Sequence, residues 1–84
     1  MHRSPMVLYV KHWCPWCIEA IDYLDRHGFD YEVCDVLANP DAYARMRKIS
    51  RQSLTPTMDV DGKILADFDV GQLSAFLAEH AIKP

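Results

Sequence analysis

The run from Met6 to Val10 is continuously apolar and partly β-branched, the pattern of a central strand buried on both faces. Such a strand commits the chain to a sheet covered on two sides. Just downstream stand Cys14, Pro15, Trp16 and Cys17. Proline is tolerated in the first turn of a helix. Cys17, Ile21 and Leu24 recur at helical spacing, with Glu19, Asp22 and Arg26 on the opposite face. A helix is therefore expected to open at the cysteine pair and to end at Gly28 as a C-cap.

Asp30 to Val36 reads as a second strand. Asn39 and Pro40 then supply the N-cap and first residue of a helix that carries Ala42, Met46 and Ile49 inward and ends in a basic cluster. Thr57 to Val60 and Lys63 to Ala66 flank Asp61-Gly62, a dipeptide that suits the left-handed dihedrals of a type I′ hairpin. Asp69 begins the last helix with Gln72 three residues on, a capping box, and Phe68 can staple against Leu73 across it. Leu73, Phe76, Leu77 and His80 form its inner stripe. Right-handed crossover makes the first two strands parallel, with the first helix over the sheet.

With 84 residues, 50% of them hydrophobic, the chain can bury one core but not two, so a single domain spanning 1–84 is expected. The net charge of -3 argues against nucleic acid, whose phosphates need clustered Lys and Arg. No apolar run approaches bilayer length, which argues against a membrane role. The opening Met1-His2-Arg3-Ser4-Pro5 lacks a secretory h-region, so the cytoplasm is the expected compartment. Three cysteines without an export signal do not make a disulfide framework.

A Cys-x-x-Cys pair that follows a strand and opens a helix suits disulfide exchange, because positions three apart share one helical face. Cys14 falls at the positive end of the helix dipole, which favours its thiolate, and Lys11 and His12 can add to that field. An unperturbed cysteine is only about 3% thiolate at pH 7. Cys14 is thus the nucleophile. Cys17, one turn deeper on the apolar face, stays protonated until a mixed disulfide forms and then resolves it.

Other chemistries fit less well. A structural zinc site needs four ligands, and Cys34 with four scattered histidines supplies no second knuckle. A His12–Cys14 protease dyad has poor geometry at a strand end. A calcium loop at Asp59-Val60-Asp61-Gly62 would place its bidentate glutamate on Phe68. No metal is expected.

From Met6 to about Leu77 the sequence resembles the glutaredoxins, small members of the thioredoxin fold. Lys11-His12-Trp13-Cys14-Pro15-Trp16-Cys17 is similar to their dithiol motif with its preceding lysine. Leu54-Thr55-Pro56 looks like their cis-proline loop, and Ala66-Asp67-Phe68-Asp69 like their glutathione-binding segment. The resemblance implies an α/β, thioredoxin-like fold of order β-α-β-α-β-β-α. Its four-stranded mixed sheet would run in strand order 2-1-3-4, flanked by three helices.

The same resemblance implies a thiol-disulfide oxidoreductase that binds no cofactor, uses glutathione as co-substrate, acts on disulfide-containing proteins and is monomeric. Pro56 would be cis and lie against the dithiol, and the Thr55 backbone would pair with the cysteinyl part of glutathione. Lys11, with Gln52 or Arg51, would meet its glycyl carboxylate. Asp69 would receive the γ-glutamyl ammonium, with Asp67 and Phe68 in the same segment and the last helix's N-terminus facing the adjoining carboxylate. Trp16 replaces the tyrosine common in the motif and is the candidate partner contact, whereas Trp13 is expected to pack at the rim of the core. Cys34 is expected to be a small buried hydrophobe.

Ala66-Asp67 stands where glutathione users of the family usually carry Gly-Gly. The spacing from Ala66 to Leu73 instead resembles the glutaredoxin-like electron donors of ribonucleotide reductase, which draw on thioredoxin reductase. Both enzymes are therefore alternative partners. A carrier of a [2Fe-2S] cluster, which some glutaredoxins hold between two subunits, and a redox-regulated binding module are the other readings.

Overall fold

A computed structural model describes residues 6–84. The strands are β1 (Met6–Val10), β2 (Glu32–Asp35), β3 (Thr57–Val60) and β4 (Lys63–Ala66), and the helices are α1 (Pro15–Arg26), α2 (Pro40–Ser50) and α3 (Val70–Glu79). They form one sheet of order β2-β1-β3-β4, in which β1 runs parallel to β2 and antiparallel to β3, and β4 antiparallel to β3. The expected topology is therefore the observed one.

The alternation along β1 shows why its whole run is apolar. Met6, Leu8 and Val10 join Met58 and Val60 of β3 in a core closed by Cys17, Ala20 and Leu24 of α1 and Leu73, Phe76 and Leu77 of α3. Tyr9 points to the opposite face, where Val36, Ala42 and Met46 form a smaller core beneath α2. Both faces of the central strand are thus dry, as a sheet covered on two sides requires.

Local signals set most boundaries. The Asn39 side chain accepts the N–H groups of Asp41 and Ala42 at 3.1 and 3.2 Å and so starts α2. Asp69 accepts the Gln72 N–H at 2.8 Å and Gln72 returns a bond to the Asp69 N–H at 3.0 Å, completing the capping box. Asp61 and Gly62 have φ of 54° and 88°, the dihedrals of the type I′ turn. α1 ends one residue before its expected cap: His27 is the C-cap, and Gly28 follows with φ of 76°. There the Phe29 N–H reaches back to the Leu24 carbonyl at 2.9 Å.

Two expectations need correction. β2 covers Glu32–Asp35 rather than 30–36, because it is an edge strand that, among the described residues, pairs with β1 alone. The ladder ends where β1 ends, although the Val36 N–H still bonds the Val10 carbonyl at 2.9 Å. His80 follows α3 as its C-cap and is half-buried, its ring edge-on to Phe76 at 4.7 Å.

Candidate active site

Cys14 is the N-cap of α1, and its extended backbone (φ -80°, ψ 117°) turns the chain from β1 into the helix. Its N–H bonds the Lys11 carbonyl at 3.0 Å, and its carbonyl accepts the first helical bond, from Ile18, at 3.0 Å. Pro15 follows at the first helical position, where a missing N–H leaves no bond unmade. The Cys17 N–H then points at Cys14 Sγ across 3.4 Å. Cys14 is 5% exposed and Cys17 1%, so an incoming disulfide meets Cys14 first.

The two thiols are driven apart in acidity. Burial pushes Cys14 up, but the Cys17 thiol and N–H, the Thr55 hydroxyl and the Trp16 N–H outweigh it and hold Cys14 below the ordinary thiol value. For Cys17, burial and then the neighbouring Cys14 act in one direction, and the thiol is pushed up to about 11. The two thiols thus differ in acidity, Cys14 the more acidic and Cys17 the less. The strongest stabilisers of the Cys14 thiolate are thus hydrogen bonds at the helix start. Lys11 and His12 are engaged elsewhere: the Lys11 ammonium lies 5.9 Å over the Trp13 ring, and His12 Nδ1 meets Asp35 Oδ2 at 3.0 Å.

Facing the dithiol is the loop before β3, where the Thr55–Pro56 bond is cis. Thr55 and Pro56 are buried, and the Thr55 carbonyl lies 3.8 Å from Cys14 Sγ. The Pro56 carbonyl accepts the Asp67 N–H at 2.8 Å and ties this loop to the turn that leads into α3. Beyond that turn a cavity of about 260 Å³ is lined by Trp16, Asp67, Phe68, Asp69 and Gln72. Gln72, marked in the sequence only as a capping residue, is an addition to the site. A larger groove of about 520 Å³ follows the outer face of α1 from Ile18 to His27 and contains neither cysteine.

The structure therefore brings Trp16, Asp67, Phe68 and Asp69 to one cavity, and Thr55 and Pro56 to the sulfur. It does not bring Gln52 with them. The Gln52 amide donates to Ser50 Oγ at 2.9 Å and Thr57 Oγ1 at 3.0 Å, and its oxygen accepts the Leu54 N–H at 2.7 Å. That side chain is spent on holding the loop. Arg51 is an exposed C-cap of α2 with φ of 58°, its N–H on the Arg47 carbonyl at 2.8 Å. Phe68 is 3% exposed and belongs to the core while also lining the cavity.

Trp13 does not pack at the rim of the core. It is 62% exposed, more than Trp16 at 56%, on the turn between β1 and α1, and among the described residues it joins neither apolar core. Cys34 is half-buried beside the smaller core rather than fully enclosed, and burial still pushes its thiol up. Among the described residues no group of three or more His, Cys, Asp or Glu side chains is arranged to hold a metal ion.

A dithiol at the start of the first helix, opposite a cis-proline loop on this sheet, defines a thioredoxin-fold dithiol protein. The glutaredoxin family model matches residues 6–65, and the chain belongs to the glutaredoxin family. A glutaredoxin-like 8.6 kDa protein from the rubredoxin operon of Clostridium pasteurianum is 27% identical over 70 residues, 83% of this chain and 93% of that protein. Among solved structures, the thioredoxin-like protein BC3987 superposes with a TM-score of 0.78 at 28% identity, covering 86% of this chain and 99% of its own. The glutaredoxin-like protein NrdH-redoxin from Escherichia coli gives 0.71 at 18% identity over 84% and 92% of the two chains, a likeness of fold.

Proposed function

We propose that the protein is a dithiol-disulfide oxidoreductase in which Cys14 attacks and Cys17 resolves. The observation that carries this reading is the geometry of the pair: the Cys17 N–H points at Cys14 Sγ across 3.4 Å at the start of α1, opposite the cis Thr55–Pro56 loop, and the acidities of the two thiols diverge in the same sense. The Cys14 thiolate attacks one sulfur of a protein disulfide or a glutathione mixed disulfide, forming a mixed disulfide and expelling the other sulfur as thiolate. Cys17 then gives up its proton and attacks Cys14 Sγ, releasing the second thiol and leaving a Cys14–Cys17 disulfide. Two electrons and two protons from a thiol donor restore the pair. The cycle needs only the two sulfurs and no bound cofactor.

Glutathione is the first candidate donor, with Thr55, Pro56, Trp16, Phe68 and Asp69 as its site and Lys11 as a more distant contact. A specific observation favours thioredoxin reductase as the second: Asp67, not glycine, occupies the left-handed position bonded to the Pro56 carbonyl and adds a negative charge to the cavity lined by Trp16. We take the cytoplasm as the compartment and a monomer as the working form, since free thiols persist where NADPH-linked reductants act. The test is NADPH oxidation with a small disulfide, driven by glutathione plus glutathione reductase or by thioredoxin reductase alone. Cys14→Ser is the control. Turnover in either arm supports the oxidoreductase and names its donor; turnover in neither removes it and leaves the cluster carrier and the redox-regulated binding module.

A further inference from the structure

Asp67 has φ of 54°, a region that L side chains enter at a cost and where only Asn, Asp and glycine are at ease. Its N–H is committed to the Pro56 carbonyl at 2.8 Å and is not available to a ligand. Its carboxylate is different. Among the described residues no hydrogen bond or ion pair engages it, and the residue is exposed on the cavity that begins at Trp16, two positions from Cys14. The neighbouring Asp69 is partly offset, because its oxygen accepts the Gln72 N–H at 2.8 Å and it sits on the positive end of α3. None of the five residues lining the cavity is cationic. The Trp16 ring adds a π face, which also attracts positive charge.

From this we infer that Asp67 is a specificity-determining residue: its free carboxylate favours disulfide substrates that carry positive charge beside the reacting sulfur, such as a cysteine flanked by Lys or Arg, over anionic ones. The inference rests on the dithiol reading and names the substrate class of that same site. The reaction is the one already written: the substrate disulfide takes two electrons from Cys14 and Cys17 and leaves as two thiols.

The test uses fully reduced protein in single turnover, acid-quenched, with the Cys14–Cys17 disulfide counted by mass after alkylation. Three small disulfides serve as probes: cystamine, a dication; bis(2-hydroxyethyl) disulfide, neutral; and dithiodipropionate, a dianion. Asp67→Asn is expected to narrow the cation-to-anion rate ratio by about tenfold at low salt, the size of one unit charge acting at short range on both probes. Raising the salt should narrow the wild-type ratio in the same sense. Glu79→Gln, at the far end of α3, makes the same change in net charge and should leave the ratio intact. Asp67→Gly, which suits the left-handed backbone, should behave as Asp67→Asn. An unchanged ratio in both Asp67 variants, or an equal narrowing in Glu79→Gln, overturns the inference. If no probe oxidises the pair in the wild type, the dithiol reading itself fails, and this one with it.

Discussion

Cys14 Sγ and the Thr55 carbonyl oxygen face one another across 3.8 Å although 41 residues separate them in the chain. The carbonyl can receive only the protonated sulfur, whereas the Thr55 hydroxyl and the Cys17 N–H serve the thiolate. Ionisation of Cys14 therefore releases the Thr55 carbonyl from the sulfur.

The divergence of the two thiols makes a prediction about pH. Iodoacetamide should alkylate Cys14 with a midpoint below the ordinary value of 9.0, and in Cys14→Ser the remaining Cys17 should titrate above it, because burial, its largest cause, is retained. Stability follows with opposite signs. The Cys17 value is raised on folding, so its contribution is complete below the unfolded thiol value and is lost as pH rises through about 11. The Cys14 value is lowered, so its contribution is present above the unfolded value and is lost as pH falls through the folded one. Urea unfolding of the reduced protein should show a midpoint that falls between about pH 9 and 11, and Cys17→Ser should flatten that fall.

Gln52→Ala should lower stability rather than substrate affinity. Three hydrogen bonds leave with the amide, one of them to Thr57, which is fully buried and also donates to the Leu54 carbonyl at 2.8 Å. At about 1 kcal/mol for each net bond, the loss is about 2–3 kcal/mol, readable as a shift in the denaturant midpoint. A raised KM for glutathione with stability unchanged would instead restore Gln52 to the binding site.

The contrast between Gln52 and Asp69 shows what was legible in the sequence. Asp69, Asn39 and Asp61-Gly62 work through bonds within a few residues, and their spacing alone announces helix starts and a turn. Cys14 and Cys17 are equally local, so their place at the start of α1, one turn apart, could be read from spacing alone. Gln52 bonds Thr57 across a loop whose path depends on how β3 docks, and His12 meets Asp35 23 residues away across the β1–β2 pairing. Neither contact has a periodic signal. Trp13 belongs with these: an indole is usually worth burying, and only the fold shows that the turn it sits on leaves it 62% exposed.

The two exposed indoles around Cys14 predict different effects, because only Trp16 lines the cavity. Trp16→Ala should change stability by no more than about 0.5 kcal/mol, as expected of a surface site, while raising KM for a disulfide substrate several-fold. Trp13→Ala removes the contact with the Lys11 ammonium, worth about 0.5–1 kcal/mol at an exposed site. It does not touch the cavity wall, so its KM for a small disulfide should stay near that of the wild type. Equal KM effects from the two variants would mean that the rim as a whole, and not the Trp16 wall, meets the substrate.

Asp69 carries two roles that substitution can separate. Asp69→Ala removes the cap from the Gln72 N–H and should cost about 1 kcal/mol, seen as a lower unfolding midpoint. Asn caps as well as Asp, so Asp69→Asn should keep nearly all of that stability while deleting the charge. If glutathione binds with its ammonium at this carboxylate, Asp69→Asn should weaken glutathione-driven turnover through KM and leave thioredoxin reductase-driven turnover alone. No loss with either donor would mean that Asp69 supports the site only by starting α3, whereas identical losses with both would mean that its charge serves a step the two donors share.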